Sequence, residues 1–204
     1  MQLSIDPESV KGFLAPEEGV RLYELETAAA RLGPCLEVGS YCGKSTVYLG
    51  SACREADQLL YAIDHHRGSE EHQLGEEYHD PDLFDVAAAK MDSFREFRRT
   101  LELAELNDHV VPIVASSALA GRHFNVPLSL VFIDGGHSEA AAQSDYRNWA
   151  PKVIPGGYLA IHDLFEDPEE GGQAPINIYR LALASGLFEA LASTRTLGVL
   201  RRIR

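Results

Sequence analysis

Cysteine is scarce in this chain: Cys35, Cys42 and Cys53 form an odd set with no C-x-x-C spacing. That argues against a disulfide framework or a zinc site and favours reduced thiols in a packed interior. Basic residues are also few, 18 Lys and Arg against 31 Asp and Glu, for a formal net charge of -13. Such a balance repels a phosphate backbone. The two dense basic clusters, Arg98-Arg99 and Arg201-Arg202-Ile203-Arg204, read as a solvated helix face and a frayed end, so nucleic acid is not an expected partner. Long apolar runs are missing too. No stretch approaches the ~20 apolar residues of a membrane span, and the amino terminus lacks the basic, apolar and small-residue pattern of a leader. A cytoplasmic chain with no membrane partner is expected. At 204 residues and 45% apolar content one substantial core can form, so a single domain over residues 1–204 is expected.

Two familiar phosphate-binding patterns are absent as well. A dinucleotide fingerprint needs G-x-G-x-x-G, whereas Gly39 is followed by Ser40 and Tyr41 and the next glycine is Gly43. Gly43-Lys44-Ser45 resembles the end of a P-loop, but Val38 stands where its first glycine belongs if the spacing is kept. What the chain does have is Cys35-Leu36-Glu37-Val38 running through Gly39-Ser40-Tyr41-Cys42-Gly43 into Lys44-Ser45-Thr46-Val47, an apolar strand, a glycine loop and a helix. Gly39 and Gly43 permit sharp turning and close ligand approach, and Ser45 and Thr46 open a helix whose N–H groups attract negative charge. Glu37 is of little use beside a polyphosphate and suits a cationic amine. The cradle therefore points to S-adenosylmethionine, with Glu37, Gly39, Ser40, Gly43 and Ser45 as candidate cofactor-binding residues.

The rest of the chain alternates strands and helices. Residues 1–16 carry Pro7, Gly12 and Pro16 without a clear period and read as an arm or an early lid. Helical spacing from Glu17 to Leu32 stops at Gly33-Pro34. Leu59 to Asp64 predicts a buried parallel strand, which sets Asp64 at its carboxyl end. A carboxylate ~20 residues beyond a glycine loop can accept both ribose hydroxyls; a plain turn carboxylate is the alternative. His65 to Asp82 is polar, and His65, His66, His72 and His79 match no compact metal motif, so a solvated substrate-facing lid is expected. Asp82 to Leu106 reads as helical with a break near Asp92-Ser93, and His109 to Val114 as the third strand. Ser129 to Asp134 is the fourth strand. After a helix through Tyr146 and Trp149, both expected in the core, Pro155-Gly156-Gly157 turns into a fifth strand, Tyr158 to His162. A helix from Pro175 to Ser185 and β segments at 187–192 and 196–200 complete an α/β, doubly wound, mostly parallel sheet with an antiparallel edge.

On these motifs, from about Gly33 to Arg204, the chain resembles the class I S-adenosylmethionine-dependent methyltransferases, and among them the small hydroxyl-methylating families like the macrocin O-methyltransferases. The resemblance implies the seven-stranded Rossmann-like methyltransferase fold. It implies adenine contact at Ser116 and Ser117, where many relatives carry an acidic or small polar residue, and it implies that Asp134 and the dipeptide His162-Asp163 hold a divalent cation. Asp134 is expected in both the cofactor and the metal set. His162 departs from relatives that carry an acid there, which leaves Asp134 and Asp163 as the firmer oxygen ligands for Mg²⁺. His137 is the candidate general base, since imidazole takes a proton near neutral pH.

The expected activity is S-adenosylmethionine-dependent O-methylation of a hydroxylated small molecule, a sugar or glycosylated natural product, with Mg²⁺ assistance and with homo-oligomerisation left open. A related metal-dependent hydroxylase-like enzyme and a cofactor-binding protein without turnover are the alternatives.

Overall fold

The computed structural model describes residues 1–68, 80–136 and 138–204. Its first helix, α1 (Pro16–Ala29), starts where Pro16 fixes the backbone at the first turn and the Glu18 side chain reaches back to the Ala15 N–H at 3.2 Å. The predicted helix ran to Leu32; the observed one ends a turn earlier, and Leu32 is exposed. There follow β1 (Cys35–Val38), α2 (Lys44–Glu55) and β2 (Leu60–Asp64).

The segment after Asp80 corrects the predicted helix from Asp82. Pro81–Leu83 form one 3-10 turn, then β3 (Phe84–Asp85) and β4 (Lys90–Met91) pair as a small antiparallel hairpin, and only Phe94–Leu103 form α3. Asp85 accounts for the difference: its Oδ1 accepts from the N–H groups of Ala87 and Ala88 at 3.0 and 3.2 Å, closing a turn that competes with a helix. The chain continues with β5 (Val110–Val114), α4 (Ser117–Gly121), β6 (Leu128–Ile133) and α5 (Glu139–Trp149). It closes with β7 (Val153–Ile161), α6 (Ala174–Ala184), β8 (Phe188–Ala190) and β9 (Gly198–Arg202).

Seven strands form one sheet in the order β5-β2-β1-β6-β7-β9-β8. Pairing is parallel from β5 to β7, and β9 runs antiparallel to both β7 and β8. The order reverses between β1 and β6. From β1 the chain winds outward through β2 to β5, then crosses back to β6 and winds the other way, the doubly wound arrangement with its switch point at that pair.

Successive strand residues face opposite sides of the sheet, and the core divides accordingly. Cys35, Leu130 and Phe132 pack with Leu22, Leu49 and Phe97 under α1, α2 and α3. Leu36, Val38, Val131 and Ile133 pack with Trp149 and Ile178 under α5 and α6. Trp149 is fully buried, as expected, and Tyr146 packs at the edge of the same cluster. Among the described residues no helix is long and apolar enough to cross a membrane.

The fifth large strand begins earlier than predicted. β7 starts at Val153 and carries Pro155-Gly156-Gly157 inside it as an irregularity, since Leu128 pairs with Val153 and Leu130 already with Tyr158. Proline cannot donate to a ladder, so the sequence suggested a turn there; a bulge removes the need for that donor. The two glycines are unequal. A Cβ on Gly157 would stand 2.6 Å from the Ser129 carbonyl oxygen, whereas one on Gly156, at φ +86°, would meet nothing within 4 Å. Gly157→Ala is therefore expected to cost about 2–4 kcal/mol and Gly156→Ala about 1–2 kcal/mol, measured by urea unfolding. Equal losses would mean that the bulge relaxes around either side chain.

Candidate functional site

The switch point holds a cavity of about 880 Å³ at the carboxyl ends of the parallel strands. The sheet ladder sets its floor. Gly39 N–H donates to Ile63 O, Asp134 N–H to Val38 O and His162 N–H to Ile133 O, at 2.9, 2.9 and 3.1 Å, so all three loops leave the sheet at one level. Of the residues singled out from the sequence, Gly39, Ser40, Ser45, Asp64, Ser116, Ser117, Asp134, His162 and Asp163 line this cavity. Glu37 and Gly43 do not, and His137 lies outside the described residues.

Gly39 is required by close approach: a Cβ there, at φ +91°, would fall 2.0 Å from the Asp134 carbonyl oxygen. Ser40 is buried, and among the described residues its Oγ has no hydrogen-bond partner. Tyr41 takes φ +45°, an uncommon conformation for a large side chain, and its N–H donates to Asp64 Oδ2 at 2.8 Å. The other Asp64 oxygen accepts from His66 N–H at 2.7 Å, so this strand-end carboxylate is oriented toward the cavity from both sides.

Gly43 has a different task from the one its sequence position suggests. It caps α2 at φ +96°, and a Cβ would stand 3.0 Å from Thr100 Cγ2 and 3.3 Å from Phe97 Cδ2, against α3 rather than the cavity. Glu37 departs further. The alternation of β1 puts it on the α1–α2 face with Cys35, fully buried, where Oε1 accepts from Ser45 Oγ at 2.5 Å and Oε2 from Thr46 Oγ1 at 2.6 Å. Burial, with Asp134 and Asp64 adding to it, pushes Glu37 up to about 8 against the two hydroxyl bonds. Glu37 therefore anchors the start of α2 beneath the glycine loop.

Ser116 caps α4, accepting from Leu119 N–H, and Ser117 Oγ accepts the indole N–H of Trp149 at 2.7 Å. At the opposite end of the cavity stand Asp134, His162 and Asp163, whose candidate ligand atoms lie within 4.8 Å of one another. His162 Nδ1 is 3.1 Å from Asp134 Oδ1 and 3.4 Å from Asp163 Oδ1. Its Nε2 is 3.0 Å from Glu18 Oε2, a partner that no local pattern announced. Glu18 Oε1 accepts from both the N–H and the hydroxyl of Thr196, at 2.9 and 2.8 Å. Burial disfavours charge on His162, yet Asp134, Asp163 and Glu18 outweigh it and push the imidazole up. Burial would raise Glu18, but the hydrogen bond and charge of His162, then Thr196 and Ala15, hold it down at about 2. Asp163 takes φ +58°, which turns its carboxylate back toward the histidine.

The arm before α1 reaches this site, since Lys11, Gly12, Phe13 and Leu14 line the cavity. Lys11 Nζ pairs with Asp80 and Asp82 at 2.6 and 2.9 Å, and Lys44 Nζ with Glu8 at 2.9 Å. Of the expected lid from His65 to Asp82, residues 69–79, with His72 and His79, lie outside the described residues. His66 is not solvated, a correction to that reading. It is buried against Phe94 and Phe97 with Nδ1 2.9 Å from Ser93 Oγ, and burial lowers its pKa.

Residues 36–164, well over half of the chain, match the family model described as a methyltransferase domain. The chain belongs to this family. The methyltransferase also resembles solved structures that confirm the fold. The O-methyltransferase from Bacillus cereus in complex with SAH is 17% identical, with 94% of this chain and 83% of that chain covered and a TM-score of 0.62. The O-methyltransferase NovP is 18% identical, with 92% and 80% covered and a TM-score of 0.69. TomG from Streptomyces achromogenes, in complex with SAM, is 14% identical, with 94% and 82% covered and a TM-score of 0.64.

The buried acids of the methyltransferase carry a pH signature. Glu37 at about 8, Glu26 at about 7 and Asp145 at about 6 are all raised chiefly by burial. An acid whose folded pKa is raised contributes stability that is full below its unfolded value of roughly 4 and is lost as pH climbs through the folded one. Glu18, held low, acts in the opposite sense and only in acid. The thermal midpoint is therefore expected to fall between pH 5 and pH 8, and to fall less in Glu37→Gln, which stays neutral. Equal slopes in the two proteins would show that Glu37 is ionised in the fold.

Proposed function

We propose that the chain is an S-adenosylmethionine-dependent O-methyltransferase acting on a hydroxyl of a small molecule. The observation that carries this is the meeting, in one cavity, of a glycine loop held under the Asp134 carbonyl and a cluster of Asp134, His162 and Asp163. The first is a place for a nucleoside cofactor and the second a place to hold charge beside a hydroxyl. In this reading the backbone at Gly39 and Ser40 meets the amino-acid part of the cofactor, and Asp64 accepts its ribose hydroxyls. The chemistry supplied by bound S-adenosylmethionine is an electrophilic methyl group on a sulfonium. Glu37 acts one layer below, through Ser45 and Thr46.

Asp134 and Asp163 would hold the divalent cation, joined by His162 once Nδ1 gives up its proton, and the cation would supply charge that makes an acceptor hydroxyl more acidic. The two carboxylates suit hard Mg²⁺; the His162 nitrogen suits Mn²⁺ as well. Glu18 then holds the far ring nitrogen, as carboxylates do behind metal-bound histidines. His137, three residues after Asp134 in the sequence, is assigned as the base that takes the hydroxyl proton. The acceptor class, a sugar or glycosylated natural product, follows from the resemblance to macrocin O-methyltransferases.

Isothermal titration with S-adenosylmethionine and S-adenosylhomocysteine, followed by incubation with methyl-labelled cofactor and a set of hydroxylated sugars and glycosides, tests the reading. Cofactor binding and a labelled methyl ether are expected, with His137→Ala losing ~10²–10⁴-fold in turnover while keeping cofactor affinity. Chelation should abolish turnover, and Mg²⁺ or Mn²⁺ should restore it. Absence of cofactor binding would sink the assignment. An unchanged rate under thorough chelation would remove the metal and leave His162 as the cluster's own cation.

A further inference from the structure

A second group of ligating side chains lies at the other end of the sheet. Cys35 opens β1, so it stands at the amino ends of the parallel strands, and Glu26 of α1 and Cys53 of α2 close over it from the helical layer. All three are fully buried, and their ligand atoms lie within 4.8 Å of one another. None of them lines the cavity. The cysteine spacing announces no such site, because three separate elements, not one short motif, bring these residues together.

The hydrogen bonding is poor for so buried an acid. Glu26 Oε1 accepts from Cys53 Sγ at 2.8 Å, and among the described residues Oε2 has no partner. A thiol is a weak donor, so a carboxyl group wholly removed from water gains little here to offset its desolvation. Burial raises Glu26 to about 7 and Cys35 to about 11. A plain core would be more stable with an apolar side chain in place of this acid. The donors match a borderline-soft ion instead. Two sulfurs and a carboxylate oxygen are ligands that Zn²⁺ takes, and Ser129 Oγ, also buried, stands 3.1 Å from Cys35 Sγ. The Ser129 proton goes to a backbone carbonyl, Gly33 O at 2.7 Å or Pro34 O at 3.1 Å, which leaves an oxygen lone pair for a fourth bond.

We propose that Glu26, Cys35 and Cys53 form a structural site for Zn²⁺ that staples α1 and α2 to the start of β1. Binding releases both thiol protons and the carboxyl proton to solvent and leaves three anionic ligands around the cation. The acid thereby gains the partner that its second oxygen lacks. A site whose ligands are closed to water fills as the chain folds, so the ion acts on stability and takes no part in the reaction. The inference is independent of the cofactor reading above.

The test refolds the full chain in a phosphine reductant with Co²⁺, a probe that occupies zinc sites and gives a sulfur-to-metal charge-transfer band with thiolate ligands. A band of two thiolates per chain is expected, and Zn²⁺, higher in the affinity series, should bleach it. Cys35→Ser and Cys53→Ser should each remove at least half of the band, whereas Asp163→Asn should leave it whole, since the cavity cluster holds no sulfur. Glu26→Gln keeps a neutral side chain of the same shape and should weaken Co²⁺ binding by at least the ~10–100-fold that loss of a supporting group costs. A refolded wild type without the band overturns the inference. So does a full band in both serine variants, which would assign it to Cys42. Should the serine variants fail to fold, Glu26→Gln decides, and an unchanged Co²⁺ affinity there overturns the site.

Discussion

A buried imidazole with carboxylates at both ring nitrogens holds the functional end of this molecule together. His162 links Asp134 after β6, Asp163 after β7 and Glu18 of α1, and Glu18 passes the connection to Thr196 before β9. Without the ring, three acids would converge on one half-buried spot and repel one another, at a cost that rises as the local dielectric falls. With it, each carboxylate is turned in a defined direction, and α1 is tied to strand ends far from it in sequence. The strained backbone at Asp163 is tolerated because this cluster over-determines it.

The sheet contributes a second constraint, its strict alternation of faces. In β1 the same periodicity that buries Leu36 and Val38 against α5 and α6 sends Glu37 to the opposite side, under α2. There the carboxylate meets Ser45 and Thr46 at a helix start, a place favourable to negative charge, while burial works against that charge and raises its pKa. The glycine loop is thus shaped from two directions: Gly39 by the backbone of Asp134 above the sheet, Gly43 by Thr100 and Phe97 below it.

The sequence disclosed the sheet well because its signals are local: the apolar runs ending in Asp64, Asp134 and His162-Asp163 are buried parallel strands, and their ends define the cavity. It misled where a local signal had two structural outcomes. Pro155-Gly156-Gly157 reads as a turn before a strand or a bulge inside one, and only pairing with β6 decides. Phe84 to Met91 has apolar residues at helical spacing, but the Asp85 turn breaks it into a hairpin. Glu37 was visible as a strand-end acid, though its assignment to an amine overlooked which face it occupies. Glu18 was illegible, an ordinary first-turn acid, because what distinguishes it is a partner 144 positions away in the chain, His162.

The reach of Glu18 separates the unit that is recognisable from the unit that can be excised. The family model matches residues 36 to 164. A fragment cut at those limits would retain every strand-end acid and the glycine loop, but it would lack α1, the arm at Lys11 to Leu14 and Thr196. His162 would then face Asp134 and Asp163 with its far nitrogen bare, and one wall of the cavity would be gone. The limits of that match run through the residues that hold the cluster together.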